Sequence, residues 1–320
     1  MGQAKLKAGA ALVFLTLLTC ALSLGAQRQS SSDRPQLEVS PHIIGVDVDI
    51  VLATVTVTDR NGRFVTGLEK ENFKIQEDKV PQEIKYFSSE DIPLSVGIIL
   101  DVSGSMKDKL KTAVEAAITF MKGGSPDDEY FLVEFADKPE DAADFTNDIS
   151  KIQSRFMFSK AKGRTALYDA VYMGLNKLEK GNNAKRALLL ITDGEDNRSR
   201  YTFSNVRDFV KEKDVQMYAI GITNGWADSS AEQGRSLLRD LAAISGGNSF
   251  FPNSITNLEN ICRTIATELK YQYVIGYQSS NTAKDGDWRK IKVTAEYPNN
   301  KLTVRAKAGY YGPTESKSNN

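Results

Sequence analysis

Between residues 93 and 272, almost continuously apolar stretches alternate with stretches that have an amphipathic helical pattern. The apolar stretches comprise residues 94–100, 129–135, 186–192, 215–222 and, more weakly, 248–251. Unbroken apolar runs of this length are typical of strands that are buried on both faces, as in parallel sheets. The repetition of strand and helix therefore predicts a doubly wound α/β domain with a mostly parallel, Rossmann-like sheet over residues 93–272.

The segments on either side of this domain, residues 37–92 and 273–313, alternate apolar and polar residues with a period of two. That period is typical of strands with one buried face, and Asn61-Gly62 between two such runs predicts a hairpin turn. Neither segment alone has enough residues for a core of its own. We therefore predict that the two segments pack together as a small β module, with the α/β domain inserted between them.

Residues 1–26 have the features of a secretory signal peptide, because Lys5 and Lys7 precede an apolar run that ends in small residues. We expect cleavage after Ala26, which makes the mature protein exported (secreted, periplasmic or on the cell surface) and leaves it without a membrane span. The apolar run is short for a membrane anchor. Lipidation at Cys20 is a minor alternative, since a lipidated cysteine usually follows a small residue and here follows a threonine.

The composition argues against several classes of function. Lys+Arg and Asp+Glu both number 41, so the net charge is zero and gives no reason to expect nucleic acid or an anionic membrane as a partner. The single histidine, His42, excludes a histidine-rich zinc site.

Cys20 would leave with the signal peptide, so no intramolecular disulfide is expected, and Cys262 lies on an apolar helical face that predicts a core residue. Polar residues 27–36 and 314–320 are predicted to be a disordered leader and a disordered tail.

Oxygen-bearing side chains stand at the ends of the predicted elements. Asp101, Ser103 and Ser105 follow the first apolar strand, Thr165 precedes a predicted helix, and Asp193 follows the third strand. In doubly wound sheets, ligands bind beyond the carboxyl ends of the strands, so these side chains are expected to lie close together. A set of oxygen donors suits a hard cation, Mg²⁺ first, with Mn²⁺ or Ca²⁺ as alternatives. The first three residues could instead cap the following helix, but Thr165 and Asp193 in corresponding loops favour a metal site.

These residues resemble the metal-ion-dependent adhesion site of the von Willebrand factor type A domain, whose motif is Asp-x-Ser-x-Ser followed by a distant Thr and a distant Asp. All five positions of that motif are present in order: Asp101, Ser103, Ser105, Thr165 and Asp193. The resemblance covers residues 93 to about 272. The flanking β segments are similar to those of a group of secreted bacterial proteins, described in acidobacteria, that carry this domain between β pieces.

The resemblance implies that the three hydroxyls bind the metal directly, while Asp101 and Asp193 act mostly through bound water and hydrogen bonds. A cation held by neutral ligands attracts a further carboxylate, so the implied partner is an unidentified protein that offers an Asp or Glu side chain. Asp169 is interpreted as a residue of the first turn of its helix, where it favours the helix dipole, and not as a direct ligand. Glu195 and Asp196 could be additional metal ligands, but a solvated acidic loop is the favoured interpretation.

We therefore expect an exported, non-enzymatic adhesion or protein-interaction module that depends on a divalent cation. One alternative is a metal-assisted phosphoryl or ester hydrolase, although Ser103 stands where aspartate-nucleophile phosphatases usually need a second Asp. Another is a structural envelope protein in which the metal ties three loops together.

Overall fold

The structure is a computed structural model that describes residues 50–222, 229–298 and 301–315. The predicted signal peptide and leader, the β segment up to residue 49, and residues 316–320 of the predicted tail lie outside the described residues. Cys20 and His42 therefore lie outside them as well.

The predicted strands and helices of the central domain are present in the predicted order. The first β segment contains β1 (Ile50–Thr58), β2 (Phe73–Glu77), β3 (Val80–Gln82) and β4 (Ile84–Ser88). The central part contains β5 (Leu94–Asp101), α1 (Leu110–Lys122), β6 (Glu129–Phe135), β7 (Pro139–Thr146), α2 (Ile149–Phe156), α3 (Leu167–Leu178), β8 (Lys185–Thr192), α4 (Phe203–Glu212), β9 (Gln216–Gly221), α5 (Ser229–Ser245), β10 (Asn248–Phe250) and α6 (Leu258–Lys270). The last β segment contains β11 (Tyr273–Gln278), β12 (Trp288–Ala295), β13 (Thr303–Arg305) and β14 (Gly309–Tyr311). In the central domain, β7, α2 and α4 are additional elements that the sequence pattern did not predict.

The central sheet has six strands in the order β10-β9-β8-β5-β6-β7. All neighbouring strands are parallel except β6 and β7. The predicted α/β class with a mostly parallel sheet is thus confirmed. Strand β7 was not predicted, because its sequence "PEDAADFT" has no apolar run and lies half-exposed at the edge of the sheet.

The helices bury one apolar face each against the two sides of this sheet. Helices α1, α2 and α6 supply one core with residues such as Phe120, Ile152 and Ile265. Helices α3, α4 and α5 supply the other core, for example with Val171. Cys262 is buried in α6, as predicted, and burial raises the pKa of its thiol to about 12, so it is an inert core residue.

The two flanking β segments pair with each other, as predicted, and form two antiparallel sheets. One has the order β13-β1-β11-β4 and the other the order β14-β12-β2-β3, so each sheet takes strands from both segments. Their inner faces share one apolar core that includes Val55, Ile75, Tyr273 and Ile291. The predicted turn at Asn61-Gly62 is present, with Gly62 at a φ of +75° that favours glycine.

A buried acid joins this β module to the α/β domain. Glu268, at the end of α6, is 2% exposed. It accepts hydrogen bonds from the hydroxyls of Thr56 (3.0 Å) and Tyr218 (2.8 Å) and is ion-paired with Arg305 of β13. Strands of the β module and elements of the central domain therefore share one polar network. Within the described ranges, no helix combines the length and the apolar character that crossing a bilayer requires.

Candidate metal site

The two predicted metal-site acids lie at the ends of adjacent parallel strands. Asp101 is the last residue of β5 and Asp193 follows β8 directly. The chain leaves β5 toward β6 on one side, whereas β8 pairs with β5 on the other side. Asp101 and Asp193 thus flank the point at which the strand order reverses, which is where doubly wound sheets open a crevice for ligands.

Asp101 is fully buried beneath this edge, with no exposed surface. One carboxylate oxygen, Oδ1, accepts the backbone N–H of Ser103 at 2.8 Å, and Oδ2 accepts the hydroxyl of Thr192 at 2.7 Å. Burial raises the pKa of Asp101 to about 6, with a further contribution from the negative charge of Asp193, while the hydrogen bonds oppose the rise. These bonds hold the carboxylate in one orientation directly below the serine loop.

The serine loop presents two hydroxyls side by side. The Oγ atoms of Ser103 and Ser105 are 3.0 Å apart, with Ser103 buried and Ser105 exposed. The loop forms a short 3₁₀ turn at Gly104–Met106, and neither serine caps it through its side chain. Helix α1 begins later, with Lys109 at its N-cap and no side-chain cap. The alternative role as helix caps is therefore not supported, and the hydroxyls are directed at each other.

Thr165 comes to the same edge through backbone contacts between two loops. The N–H of Gly104 donates to the carbonyl of Gly163 at 3.0 Å, and the N–H of Lys162 donates to the carbonyl of Val102 at 2.9 Å. A Cβ at Gly104 would stand 3.3 Å from that Gly163 oxygen, and Gly163 has a φ of +79°, so both positions favour glycine. Thr165 itself is 3% exposed.

The loop after β8 is bound to the loop that carries Thr165. The side-chain oxygen of Asn197 accepts a hydrogen bond from the backbone N–H of Thr165, and the backbone N–H of Asn197 donates to the carbonyl of Thr165, each at 3.0 Å. Since the Thr192 hydroxyl also bonds Asp101, all three loops are joined to one another at the carboxyl edge of the sheet. The structure thus brings to the same edge of the sheet the three loops that carry Asp101, Ser103, Ser105, Thr165 and Asp193.

Asp193 has one carboxylate oxygen without a protein partner. Its side chain is 8% exposed, and Oδ1 is buried with no hydrogen bond to any described residue. The other oxygen, Oδ2, lies 3.6 Å from the ammonium of Lys109, which also donates to the carbonyl of Ile222 at 3.1 Å. Sequence reasoning did not identify Lys109, because a lysine at the start of an amphipathic helix normally faces solvent.

The other acids of this edge hold the loops in place. Asp169 accepts the backbone N–H groups of Arg200 (2.9 Å) and Tyr201 (3.1 Å). Asp196 accepts the N–H of Tyr168 at 3.0 Å in the first turn of α3, and the hydroxyl of Ser199. The expected solvated acidic loop is therefore wrong for Asp196, which stabilises the start of a helix.

The donor set fits a hard cation in its chemistry. The described ranges contain no group of three or more His, Cys, Asp or Glu residues that could hold a metal ion. A metal at this edge would therefore depend on three hydroxyls, from two loops, together with the carboxylates of Asp101 and Asp193. Hydroxyl and carboxylate oxygens are the ligands that Mg²⁺ and Ca²⁺ prefer.

Comparison with known proteins places this edge in a known kind of domain. Residues 96–195, from β5 to the loop after β8, match the family model of the von Willebrand factor type A domain. Among solved structures, a von Willebrand factor type A protein from Catenulispora acidiphila is 13% identical with a TM-score of 0.49, covering 83% of this chain and 74% of that one. BatB from Bacteroides thetaiotaomicron is 19% identical with a TM-score of 0.46, covering 55% and 99%. The corresponding domain of the type V pili tip protein Mfa5 from Porphyromonas gingivalis is 14% identical with a TM-score of 0.45, covering 56% and 97%.

No curated protein matches the chain. The family match spans the strands and loops that carry all five candidate residues, and the doubly wound sheet agrees with it. The chain therefore contains a von Willebrand factor type A domain.

Proposed function

We propose that the protein is an exported, non-enzymatic interaction module that binds an acidic partner through a divalent cation. A von Willebrand factor type A domain suggests a protein-interaction or adhesion module. The observation that supports the proposal is the buried Oδ1 atom of Asp193, which has no hydrogen-bond partner among the described residues.

An unpaired carboxylate oxygen in a buried place costs free energy unless a cation or a donor satisfies it. In this protein the oxygen lies at the edge where loops with three hydroxyl side chains are joined. Lys109 approaches only the other oxygen of Asp193, at 3.6 Å. A divalent cation beside Oδ1 would remove this cost, and no other role for the atom is apparent from its contacts.

Ser103, Ser105 and Thr165 would hold the cation through neutral hydroxyl oxygens, with Mg²⁺ as the first candidate and Mn²⁺ or Ca²⁺ as alternatives. Asp101 would support the site through its hydrogen bonds, since both of its oxygens already accept hydrogen bonds and hold the serine loop. When bound, the cation supplies a positive centre that attracts an Asp or Glu side chain of a partner. The neutral hydroxyls leave much of its charge uncompensated, which favours such a partner.

The contacts of the acids at this edge support binding and not turnover. Asp101, Asp169 and Asp196 all accept hydrogen bonds that hold backbone or hydroxyl groups in place. A general base needs an acceptor that can reach the substrate proton, and these three carboxylates are committed to the fold. The export part of the proposal is supported by the signal-peptide pattern of residues 1–26.

The metal is tested by isothermal titration of the metal-free protein with MgCl₂, on the wild type and on Ser103→Ala. The matched control is Ser154→Ala, which removes an exposed hydroxyl on α2 that bonds only its own helix. We expect one Mg²⁺ per chain in the wild type and in the control, and at least a tenfold loss of affinity in Ser103→Ala. Equal binding by all three proteins would contradict the proposal.

The partner is tested with the immobilised protein and an envelope extract, in Mg²⁺ and in chelator. Proteins captured in Mg²⁺ should be released by chelator and by a soluble peptide that contains aspartate. If Mg²⁺ binds and stabilises the protein but captures nothing, the metal only ties the loops together and the structural alternative is correct.

A further inference from the structure

A second cavity lies at the opposite edge of the central sheet, where β8 and β9 begin. It has a volume of about 30 Å³ and lies between the α/β domain and the β module. Lys185, Arg186 and Gln216 line it from the α/β domain, while Thr54 and Lys307 line it from the β module. We refer to it as the basal cavity.

The lining of the basal cavity is strongly cationic. It contains four lysines and one arginine but only one acid, Asp214. Three of the lysines are paired: Lys307 with Asp214 (3.0 Å), Lys211 with Asp208 (3.1 Å) and Lys213 with Glu179. The two other cations, Lys185 and Arg186, donate only to backbone carbonyls among the described residues. Neither has a carboxylate at ion-pair distance in the described ranges, although the charges of Asp91 and Asp128 still favour the protonated form of Lys185.

The cavity also contains buried polar atoms that no protein group satisfies. Gln216 is 6% exposed, and both its amide nitrogen and its amide oxygen lack a hydrogen-bond partner among the described residues. The Nε atom of Arg186 is buried and unpaired as well. Native structures leave few such groups unsatisfied, so the amide nitrogen of Gln216 and the Nε atom of Arg186, which are both donors, indicate a guest that accepts hydrogen bonds.

We propose that the basal cavity binds one small oxyanion, with inorganic phosphate or sulfate as the fitting class. On this scale a single water needs roughly 10–15 Å³, so the cavity holds about two waters or one small anion. Arg186 favours the anion, because it has no carboxylate at ion-pair distance among the described residues and water would leave its charge uncompensated. The oxyanion would accept hydrogen bonds from Gln216 and Arg186 and, through Lys307, would connect the α/β domain to the β module.

The test measures thermal unfolding with and without about 10 mM sodium phosphate, against sodium chloride of the same ionic strength. A site with a Kd near 1 mM predicts a rise in Tm of about 3 °C for a chain of this size, with saturation at higher phosphate. Sulfate should act in the same way. Phenyl phosphate should stabilise less, because a cavity of about 30 Å³ has no room for the ring, and equal stabilisation by it would overturn the assignment to a free ion.

Three variants separate this site from a general salt effect. Gln216→Met removes two unsatisfied atoms, so its Tm without phosphate should not fall, yet its phosphate-dependent shift should be lost. Lys307→Met provides an independent variant on the other side of the cavity and should also lose the shift. Lys292→Ala, an exposed lysine on β12, should keep it. A shift of equal size in all four proteins, or an equal shift from chloride, would overturn the proposal and leave water as the occupant.

Discussion

The contact between Lys109 and Asp193 offers a quantitative test of the metal site in the absence of the partner. Both side chains are 8% exposed, and their charged atoms are 3.6 Å apart. Asp193→Asn leaves a buried ammonium without its counter-ion, and Lys109→Met leaves a buried carboxylate without its counter-ion. The double variant removes both charges and should recover most of the stability that each single variant loses.

The size of the coupling follows from the distance. Two unit charges 3.6 Å apart attract each other by about 4 to 5 kcal/mol at an effective dielectric constant of about 20. The ammonium and the carboxylate are not in close hydrogen-bonding contact, and Lys109 retains the carbonyl of Ile222 as a partner. We therefore expect each single variant to lower the free energy of unfolding by about 2 kcal/mol, and the double-mutant cycle to give a coupling of about 3 kcal/mol.

The assay is urea unfolding of the four proteins in the presence of chelator, followed by titration with MgCl₂. Because Lys109 competes with a cation for Asp193, Lys109→Met should bind Mg²⁺ about tenfold more tightly, and Asp193→Asn at least tenfold more weakly. Lys111→Met, a control whose side chain is 90% exposed, should change stability by less than about 0.5 kcal/mol. A coupling below about 0.5 kcal/mol, or unchanged Mg²⁺ binding by Asp193→Asn, would refute this reasoning.

Three further predictions concern other parts of the molecule. Burial lowers the pKa of Lys185 to about 8. Between about pH 8 and 10.5 the unfolded chain therefore binds more protons than the folded one, and the free energy of unfolding should rise by about 3 kcal/mol across that window. Urea unfolding of the wild type and of Lys185→Met at both ends of the window should show the rise only in the wild type. Glu77→Gln removes the buried charge beside Arg289, both 2% exposed, and should lower the free energy of unfolding by about 3 kcal/mol. A loss below about 1 kcal/mol would show that Asp285 and the carbonyls to which Arg289 donates are sufficient to stabilise its charge. Gly234→Ala places a Cβ 2.5 Å from the carbonyl oxygen of Gly194. The free energy of unfolding should therefore fall by about 1–3 kcal/mol, despite the better helix propensity of alanine, and Mg²⁺ binding should weaken. Calorimetry that shows wild-type Mg²⁺ affinity would contradict the second effect.

The sequence pattern predicts the central sheet well because its strands are buried on both faces. The predicted strand at 129–135 agrees with β6 at both ends, and the others agree within one or two residues. Strand β7 escapes this reasoning because an edge strand needs no apolar face on its outer side. The order of strands in the β module was not predicted either, since β1 pairs with β11 across more than 200 residues and alternation does not specify a partner.

For the candidate metal site, the sequence predicts which loops come together, because strand ends of a parallel sheet share one edge. It does not predict what each acid does there. Asp196 stabilises the start of α3, and Asn197 binds the backbone of Thr165 across 32 residues of sequence. Lys109 contacts Asp193 across 84 residues. These roles depend on tertiary contacts between loops that are distant in sequence, and no local sequence pattern predicts such contacts.

The two proposed sites lie at opposite ends of β8, which begins at Lys185 in the basal cavity and ends just before Asp193. Eight residues of strand separate the two ends by roughly 26 Å. Pairing with β5 on one side and with β9 on the other holds the strand along its length. Direct electrostatic interaction between ions at the two ends is screened by salt over that distance. An ion bound at one end can therefore affect binding at the other end only by shifting the pairing of β8 with its neighbours. The Mg²⁺ and phosphate effects can therefore be measured separately, and the failure of either proposal leaves the other intact.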